Sequence, residues 1–361
     1  MRALEIHHHP IPAQDMERIT LTHIADKAKV SRMTVSLALR DDPSLPESTR
    51  RRIRTMADKM GYRPDPDITR LMEVIRSKKN RKQPSKIAYL TAYQNRSDWE
   101  REPTQRLYFE GARQRASELG YILEEHWLRA PGMTDRRLSE VIRNRGIESV
   151  VVAPLPGHEP IFDQFRWNYV SAVELGYSLP RPALNRACNH QFQSMMLLIR
   201  TLHTSGYRRI GLAMPRDQDE RVNHHWRAAY LGGQSLWIAP NEWIVPFLPS
   251  NWTKAEFQRW FTANQPDCLI TIGKDLLDWL ATLGLRAPRN VGLANVDLRP
   301  EMKGTTGIDQ NSHKVGAAAI DLLVSQLRRN EKGIPSVPRI VMVEGSFVQG
   351  KTTRCQKSPG S

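Results

Sequence analysis

Cysteine is scarce in this chain: only Cys188, Cys268 and Cys355 occur among 361 residues, and they lie far apart. No C-x-x-C pair and no closely spaced set of cysteines is present. This usage excludes a disulfide-rich scaffold and argues against a structural zinc site. We therefore expect a protein of a reducing compartment.

Long apolar runs are absent as well. No segment approaches the ~20 consecutive apolar residues that a membrane-spanning helix needs. Residues 1–18 contain His, Pro and Asp where a signal peptide requires an unbroken apolar stretch. We expect a cytoplasmic protein without a membrane partner. Residues 1–18 are predicted to be a flexible extension, with the His7-His8-His9 run solvated rather than bound to a metal.

The sequence also lacks the common motifs of catalysis. It contains no glycine-rich phosphate loop, no cluster of metal ligands and no nucleophile elbow. We therefore predict that the chain is not an enzyme and uses no cofactor.

Positive charge, in contrast, is in excess. The net charge is +15, from 53 Lys and Arg against 38 Asp and Glu. Residues 1–86 hold 19 basic and 11 acidic side chains, so about half of the excess lies in less than a quarter of the length. This concentration favours contact with a polyanion such as nucleic acid, although a positive balance alone is weak evidence.

Residues 19–40 carry a helix-turn-helix pattern. The apolar residues recur at steps of three and four, with one break between Ala28 and Ser31, as expected for two short helices that meet at a tight turn. The residues predicted to share the inner face are Ile24, Ala25, Ala28, Val30, Val35, Ala38 and Leu39. Ser31 can cap the second helix, whose size suits a DNA major groove.

A third helix is predicted from Glu47 to Met60, with Gly61 as its stop. The residues expected to face inward are Ile53, Met56, Ala57 and Met60. Arg50, Arg51, Arg52 and Arg54 crowd the first half of this helix. They form either a solvated face or a set of phosphate contacts at the edge of a DNA duplex.

The segment that follows changes character twice. Prolines at 64 and 66 bias the preceding residues away from the helical region, but Pro66 with Asp65 as a cap can start a short helix over residues 67–74. Residues 77–85 are rich in Lys and Arg and read as a basic linker. We predict a helix-turn-helix domain over residues 19–64, then a hinge helix and linker over residues 65–85.

From Lys86 onwards, predicted strands alternate with predicted helices, which indicates parallel sheets flanked by helices. The strands include residues 87–92, 121–125, 149–153, 169–173, 210–214, 243–245, 268–272, 291–296 and 339–343. These are too many for one simple sheet, so we predict a two-lobed α/β domain with a cleft over residues 86–350. Residues 351–361 are predicted to be a flexible tail.

The chain resembles the lactose-repressor (LacI/GalR-type) family of bacterial transcription regulators. The resemblance is strongest over residues 20–71, through Ile24-Ala25, Ala28-Lys29-Val30-Ser31, Thr34-Val35-Ser36, Thr49-Arg50 and Gly61-Tyr62-Arg63-Pro64. It is looser beyond, where Gly206-Tyr207-Arg208-Arg209-Ile210-Gly211 opens a second lobe. The resemblance implies a small all-α DNA-binding domain and a hinge helix, joined to a two-lobed α/β domain of the periplasmic-binding-protein type.

The resemblance also implies a homodimer on a near-palindromic double-stranded DNA operator. It places Arg32, Met33 and Leu37 at base-reading positions, and Ser31, Thr34 and Ser36 at backbone-contacting ones. Leu71 matches a wedge that enters the minor groove and kinks the duplex; the alternative is that Leu71 and Ile68 only pack the tether. The remaining residues of the predicted DNA-binding set are Thr22, Arg40, Arg51 and Tyr62.

Three positions depart from the family pattern. Leu37 stands where a polar base reader is common, so an apolar contact or a diminished role is expected. Lys29 replaces a turn glycine, which is tolerable if the backbone stays near the α region or accepts up to ~1 kcal/mol of strain. Asp65-Pro66-Asp67 places acid beside phosphates in the hinge.

The large domain is expected to bind a small molecule, such as a sugar, between its lobes. Asp297 follows a predicted strand where the family has an acid that grips ligand hydroxyls, which suits the carboxyl end of a parallel strand. Trp226 stands where the family has an arginine and could stack on a sugar or belong to the core. Arg221 and Tyr93 complete the predicted effector site, and a structural role is expected for Asn223-His224-His225.

We therefore predict a dimeric transcription regulator, a repressor as is common in the family, whose operator affinity is controlled by a small molecule. Two alternatives stay open. The large domain could only dimerise or dock a protein, or the chain could be a cytosolic binding protein or enzyme of the same fold.

Overall fold

The computed structural model describes residues 19–62 except 43, residues 84–157 and residues 162–354. These residues belong to two compact units, the small one ending before residue 83. The predicted hinge helix with Ile68 and Leu71, the extension 1–18 and most of the tail lie outside the described residues.

The small unit is a three-helix domain. Its helices are α1 (Leu21–Ala28), α2 (Arg32–Leu39) and α3 (Glu47–Lys59). The predicted inner residues of all three helices form one hydrophobic cluster, in which Ile24, Val35, Ala38 and Ile53 are fully buried. The predicted helix-turn-helix is therefore confirmed, and Gly61, with φ +69°, ends α3 as predicted.

Three of the four arginines of α3 bind the ends of the other two helices. The Arg50 guanidinium donates to the Asp41 carbonyl at 2.9 Å, and that of Arg54 donates to the Ala38 carbonyl at 3.2 Å. Arg52 reaches the Ala28 carbonyl, at the end of α1, at 3.4 Å. Cations at helix C-termini satisfy orphan carbonyls and complement the helix dipole, so these side chains stabilise the fold.

The large unit contains two sheets, one in each lobe. Lobe 1 holds an all-parallel sheet in the order β10-β5-β4-β3-β1-β2. Its strands are β1 (Ser85–Thr91), β2 (Tyr121–Trp127), β3 (Ser149–Val152), β4 (Ser171–Leu175), β5 (Asn185–Asn189) and β10 (Ile340–Val343). The predicted two-lobed architecture is confirmed by this sheet and its counterpart in lobe 2.

Lobe 2 holds a sheet in the order β11-β9-β8-β7-β6, in which only the β11–β9 pairing is antiparallel. Its strands are β6 (Ile210–Leu212), β7 (Cys268–Thr271), β8 (Gly292–Asn295), β9 (Thr306–Asp309) and β11 (Ser346–Val348). The antiparallel edge corrects the expectation of purely parallel sheets.

Helices cover both faces of each sheet. In chain order they are α4 (Pro103–Glu118), α5 (Asp135–Asn144), α6 (Gln191–Thr204), α7 (Arg216–Glu220), α8 (His225–Trp237), α9 (Lys254–Asn264), α10 (Asp275–Thr282) and α11 (Ser312–Arg328). In lobe 1, α4 and α11 pack on one face and α5 on the other. In lobe 2, α6 and α8 pack on one face and α9 and α10 on the other.

The last long helix, α11, packs tightly along α4 although its preceding strand belongs to lobe 2. A Cβ added to Gly316 would lie 2.0 Å from the Tyr108 carbonyl oxygen, and one added to Gly111 would lie 1.8 Å from the His313 carbonyl oxygen. The two backbones therefore approach as only glycine allows. This contact carries the chain back to lobe 1.

Buried amides tie the crossings between the lobes together. The Asn189 side chain, fully buried after β5, donates to the carbonyls of Gln310 and Val343 at 3.0 Å each. The Asn311 side chain donates to the Glu344 carbonyl at 2.9 Å. These three crossing points, near residues 190, 311 and 344, thus form one hydrogen-bonded hinge.

Several element predictions were wrong in detail. Residues 243–245 are not a strand: the Trp243 indole donates to the Ile238 carbonyl, and Phe247 bridges Ala213 instead. The strand predicted at 169–173 begins at Ser171, after a 3-10 turn over Trp167–Tyr169. The short strands β5, β9 and β11 were missed, because polar and glycine residues obscure their pattern.

Candidate functional site

The outer face of α2 presents the residues predicted to read bases. Arg32 and Met33 are exposed, Met33 to 69%. Ser31 caps the helix, since its hydroxyl accepts a hydrogen bond from the Thr34 backbone at 3.0 Å, and the two hydroxyls lie 2.9 Å apart. The first turn of α2 is thus capped, and it carries two exposed side chains.

The other predicted DNA-binding residues of this domain differ in their surroundings. Thr22 is exposed, whereas Ser36 and Leu37 are half-buried. The Arg40 guanidinium folds back on α2 and donates to the Ser36 carbonyl at 2.8 Å. Tyr62 packs against the small hydrophobic core. Their roles in DNA binding stay predictions.

Arg51 is the one α3 arginine of the four that does not bind a helix end in the described domain. Its guanidinium lies 3.1 Å from the Glu47 carboxylate, and both side chains are largely exposed. Arg51 lines a groove of about 900 Å³ together with Lys27, Arg52 and Lys59. In the described part of the domain the lining comes from α1 and α3, so this basic groove does not share the face of α2.

A small cavity lies between the two lobes of the large unit, with a volume of about 100 Å³. Residues from the α4 region, the ends of several strands and the start of α8 line it. They are Glu102, Thr104, Gln105, Tyr108, Pro154, Gly176, Tyr177, Ser178, Gln191, Gln218, Arg221, Val222, Trp226, Ile272, Asp297, Arg299 and Gln310. The structure thus brings the predicted residues Arg221, Trp226 and Asp297 to one cavity.

Asp297 joins the two lobes. It follows β8 in lobe 2, and its carboxylate accepts a 2.9 Å hydrogen bond from the Thr104 hydroxyl of α4 in lobe 1. The Arg299 Nε atom lies 3.6 Å from the same carboxylate oxygen. Burial raises the pKa of Asp297, and the Arg299 charge opposes that rise.

Trp226 belongs to the hydrophobic core of lobe 2 and also lines the cavity. Its indole donates to the Gln191 side chain at 2.7 Å, and Gln191 donates in turn to Gln310 at 3.1 Å. Gln310 donates to the Val296 carbonyl at 3.0 Å. This chain of hydrogen bonds fixes the indole against the hinge between the lobes.

Tyr93 is not among the described residues that line the cavity, but it supports one that is. Its hydroxyl accepts a 3.0 Å hydrogen bond from Gln105. Burial raises the pKa of Tyr93, and the Arg221 guanidinium of lobe 2 opposes that rise. Tyr93 and Arg221 therefore approach each other across the cleft.

Two polar atoms of the cavity lining are buried without a hydrogen-bond partner, although one of them, Arg299 Nε, belongs to the ion pair with Asp297. They are Gln105 Oε1, an acceptor, and Arg299 Nε, a donor. Gln105 is only 5% exposed. A buried polar atom left unpaired costs about 1–3 kcal/mol, so a ligand that pairs with these atoms gains that energy.

A buried ion pair lies next to this cavity in lobe 1. Glu174 of β4 contacts the Arg186 guanidinium of β5, and Arg186 stacks 4.7 Å from the centre of the Tyr177 ring. Burial raises the pKa of Glu174 to about 8, although Arg186 opposes the rise. Tyr177 packs in turn against His225 of lobe 2, with ring centres 4.9 Å apart.

Most cavity residues were missed by sequence reasoning. Tyr177, Gln191, Arg299 and Gln310 follow the carboxyl ends of β4, β5, β8 and β9, where parallel sheets place their ligand sites. That signal pointed to Asp297 and could have found these four. Thr104 and Gln105 start a helix, and no local pattern marks them. The role of every cavity residue in effector binding stays a prediction.

No helix of the described residues is long and apolar enough to cross a membrane. Within the described segments, no group of three or more His, Cys, Asp or Glu side chains could hold a metal ion.

Two family models match the chain. Residues 20–65 match the model described as bacterial regulatory proteins, lacI family, and residues 199–353 match that of the periplasmic binding protein-like domain. Together they cover more than half of the chain and define a DNA-binding transcription regulator with a periplasmic-binding-protein-like domain. The chain belongs to the LacI family of bacterial regulatory proteins, as its helix-turn-helix sequence indicates.

Solved structures share the fold at low sequence identity. A complex of the transcriptional regulator CelR with cellobiose superposes with a TM-score of 0.57 at 20% identity, over 93% of this chain and 100% of that one. A lac repressor dimer bound to operator and the anti-inducer ONPF superposes with a TM-score of 0.53 at 17% identity. The match covers 94% of this chain and 100% of that one.

A third structure is the regulator CCPA of Weissella paramesenteroides with bound glucose. It gives a TM-score of 0.55 at 13% identity, over 74% of this chain and 98% of that one. These likenesses support the predicted fold class. No curated protein matches the sequence.

Proposed function

We propose that this chain is a repressor that binds a near-palindromic operator as a homodimer and releases or tightens on it when a small molecule enters the interlobe cavity. The observation that carries the proposal is the Thr104–Asp297 hydrogen bond. It joins the lobes directly across a cavity whose lining holds polar atoms without hydrogen-bond partners.

The DNA-binding half of the proposal is supported by the exposed start of α2. An arginine at that position can bind guanine with two hydrogen bonds, a contact worth roughly 1–3 kcal/mol of base discrimination, and Met33 can cover a thymine methyl group. One eight-residue helix reads few bases. Two copies on a two-fold axis double the site, which is why a dimer and a near-palindrome belong to the proposal.

The effector half is supported by the size of the cavity. Ligand pockets commonly measure about 300–1,000 Å³, whereas this cavity holds about 100 Å³. A ligand of sugar size therefore requires the lobes to separate, which breaks the Thr104–Asp297 contact. The amide-tied hinge at Asn189 and Asn311 allows such a motion without loss of the lobes' own cores. A coupling of ~1–3 kcal/mol would change operator affinity roughly 5- to 150-fold.

A carbohydrate is the proposed class of effector. Two structures of similar fold carry cellobiose and glucose. In this chain the Asp297 carboxylate could accept hydrogen bonds from ligand hydroxyls in place of that from Thr104. A regulator of this kind acts on chromosomal DNA, so we place it in the cytoplasm, and we propose no enzymatic activity.

A second candidate function keeps the DNA binding but gives the large domain no small effector. The small cavity and the burial of Trp226 in the core favour it. Titration calorimetry of the full chain against sugars and related metabolites separates the two. Saturable binding that changes operator affinity supports the sensor, and silence across the panel supports a dimerising or docking domain.

The repressor role has its own test. Genomic fragments that the protein retains would be cloned ahead of a reporter in strains with and without the gene. We expect deletion of the gene to raise reporter expression. Loss of expression on deletion would identify an activator instead.

A further inference from the structure

We infer that the effector carries an anionic group, a carboxylate or a phosphate, and that Arg221 binds it. This inference rests on the proposed small-molecule function of the cavity and adds the chemical class of its ligand. Arg221 directly follows α7 and lines the cavity from lobe 2.

Arg221 differs from Arg299, the other cation of the cavity lining, because it has no counter-charge in the described part of the chain. Across the described residues, no carboxylate lies within 4 Å of its guanidinium, whereas Arg299 has Asp297 at 3.6 Å and His224 has Asp219 at 3.0 Å. The Arg221 side chain is half-buried, and its nearby partner is the neutral hydroxyl of Tyr93. A partly desolvated guanidinium that lacks a counter-charge favours an incoming anion.

The remaining carboxylate of the lining is that of Glu102, at the N-terminus of α4. Glu102 is exposed and can keep its charge in water while the cavity is occupied. A carboxylate or phosphate on the ligand would offer Arg221 two oxygens in the geometry of its fork, which a hydroxyl cannot do. Because the negative charge of Glu102 repels an anion in the same cavity, replacement of Glu102 by Gln should strengthen the binding of an anion.

The two unpaired buried atoms indicate what the rest of the ligand must be. Gln105 Oε1 accepts no hydrogen bond, and Arg299 Nε donates none, since the Asp297 carboxylate oxygen lies 3.6 Å from it. A hydroxyl can pair with both atoms, since it donates one hydrogen bond and accepts others. The lining therefore fits a molecule with at least one hydroxyl and one acidic group, which a sugar acid and a sugar phosphate both satisfy.

Titration calorimetry on the full chain can test this with matched probes. Glucose, galactose and mannose would each be compared with the corresponding uronic acid and 6-phosphate, with inorganic phosphate alone as a further probe. We expect at least one anionic sugar to bind ten-fold or more tightly than its neutral parent. The acid and phosphate series then distinguish the two sources of the charge.

Variants assign the effect to Arg221. Arg221→Gln should lower the affinity for the anionic sugar ten-fold or more and change the affinity for a neutral sugar less than two-fold. Arg227→Gln is the matched control, because Arg227 is an exposed residue of α8 outside the cavity lining. Thermal unfolding of each variant checks that it folds, and Arg221→Lys, which keeps the charge, should recover part of the affinity.

The outcomes separate this inference from the proposed function. Neutral sugars that bind as tightly as their acids and alter operator affinity would overturn the anionic ligand and leave the sensor intact. Equal losses for neutral and anionic sugars in Arg221→Gln would overturn the assignment to Arg221. Silence of every probe would contradict both proposals.

Discussion

The two units of this protein place their charges in opposite ways. In the small domain Arg32, Met33 and the Arg51–Glu47 pair lie in solvent, whereas the large domain buries Glu174 and Asp297 beside cationic partners. Exposed cations act on a polyanion over a Debye length of about 8–10 Å. Asp297, which lines the cavity, acts only on what enters it, but with hydrogen bonds that are stronger in a buried site. This difference is the one that the proposed function requires, with one surface for a long duplex and a cavity for a small molecule.

The largest expected effect is the loss of stability when a buried side chain is shortened, which should be more damaging in the small domain because its core is smaller. Ile53→Ala removes a fully buried side chain from the small domain and should cost roughly 2–5 kcal/mol. A domain this small has little stability to lose, so we expect it to unfold and operator binding to disappear. Calorimetric unfolding and operator titration would measure both effects.

The matched control is Ile142→Ala, which shortens a fully buried side chain of lobe 1. We expect the large domain to stay folded at 25 °C with a lower Tm, and the small domain to keep its own transition. Operator binding that survives Ile53→Ala unchanged would contradict the account of the small core.

The second prediction compares two exposed arginines of the small domain. Arg32→Ala should cost roughly 1–3 kcal/mol on the preferred operator and relax base preference at one position in each half-site. Arg51→Ala should weaken all sequences alike and reduce the salt slope by roughly one. Binding to operator variants at several salt concentrations measures both, and equal behaviour of the two variants would argue against these roles.

The third prediction tests the buried charge of the large domain. The folded-state pKa of Glu174, about 8, lies above its unfolded value near 4.5. Its contribution to stability is therefore complete below about pH 4.5 and is lost as pH rises through 8. The slope cannot exceed about 1.4 kcal/mol per pH unit for one proton.

Glu174→Gln replaces the ionisable carboxyl group by an amide. The free energy of unfolding of the large domain should therefore fall less steeply between pH 5 and 8 than in the parent. Glu148→Gln, at an exposed residue paired with Lys332, is the control and should leave the slope unchanged. Parallel profiles for Glu174→Gln and the parent would mean that Arg186 keeps Glu174 ionised throughout.

The smallest effect concerns the turn of the helix-turn-helix. Lys29 adopts the left-handed conformation, with φ +54°, so of the two possibilities at this turn the strained backbone is the one observed. Lys29→Gly should stabilise the small domain by up to ~1 kcal/mol, seen as a higher Tm of its transition. Lys27→Gly, within α1, should destabilise it by a similar amount. A lower Tm for Lys29→Gly would show that its side chain matters more than its backbone.

The contrast between the two units also explains how much of each could be predicted from the sequence. The small domain is local: residues three and four apart form its core, so periodicity predicted the three helices and their inner faces. The structural roles of Arg50, Arg52 and Arg54 were not readable, because their partner carbonyls lie 9 to 24 residues away.

The cavity, in contrast, draws on segments from Glu102 to Gln310. Only tertiary folding brings Thr104 to Asp297, which are 193 residues apart. Sequence reasoning named three lining residues through strand ends and family position. It could not find side chains such as Gln105, whose importance lies in an atom left unpaired after folding.

Footprinting of the full chain on genomic fragments at moderate salt tests the central claim most directly. The account predicts a protected stretch with two-fold symmetry, in which Arg32→Ala alters the preferred base at one position in each half. The absence of any symmetric protection across the genome would contradict it.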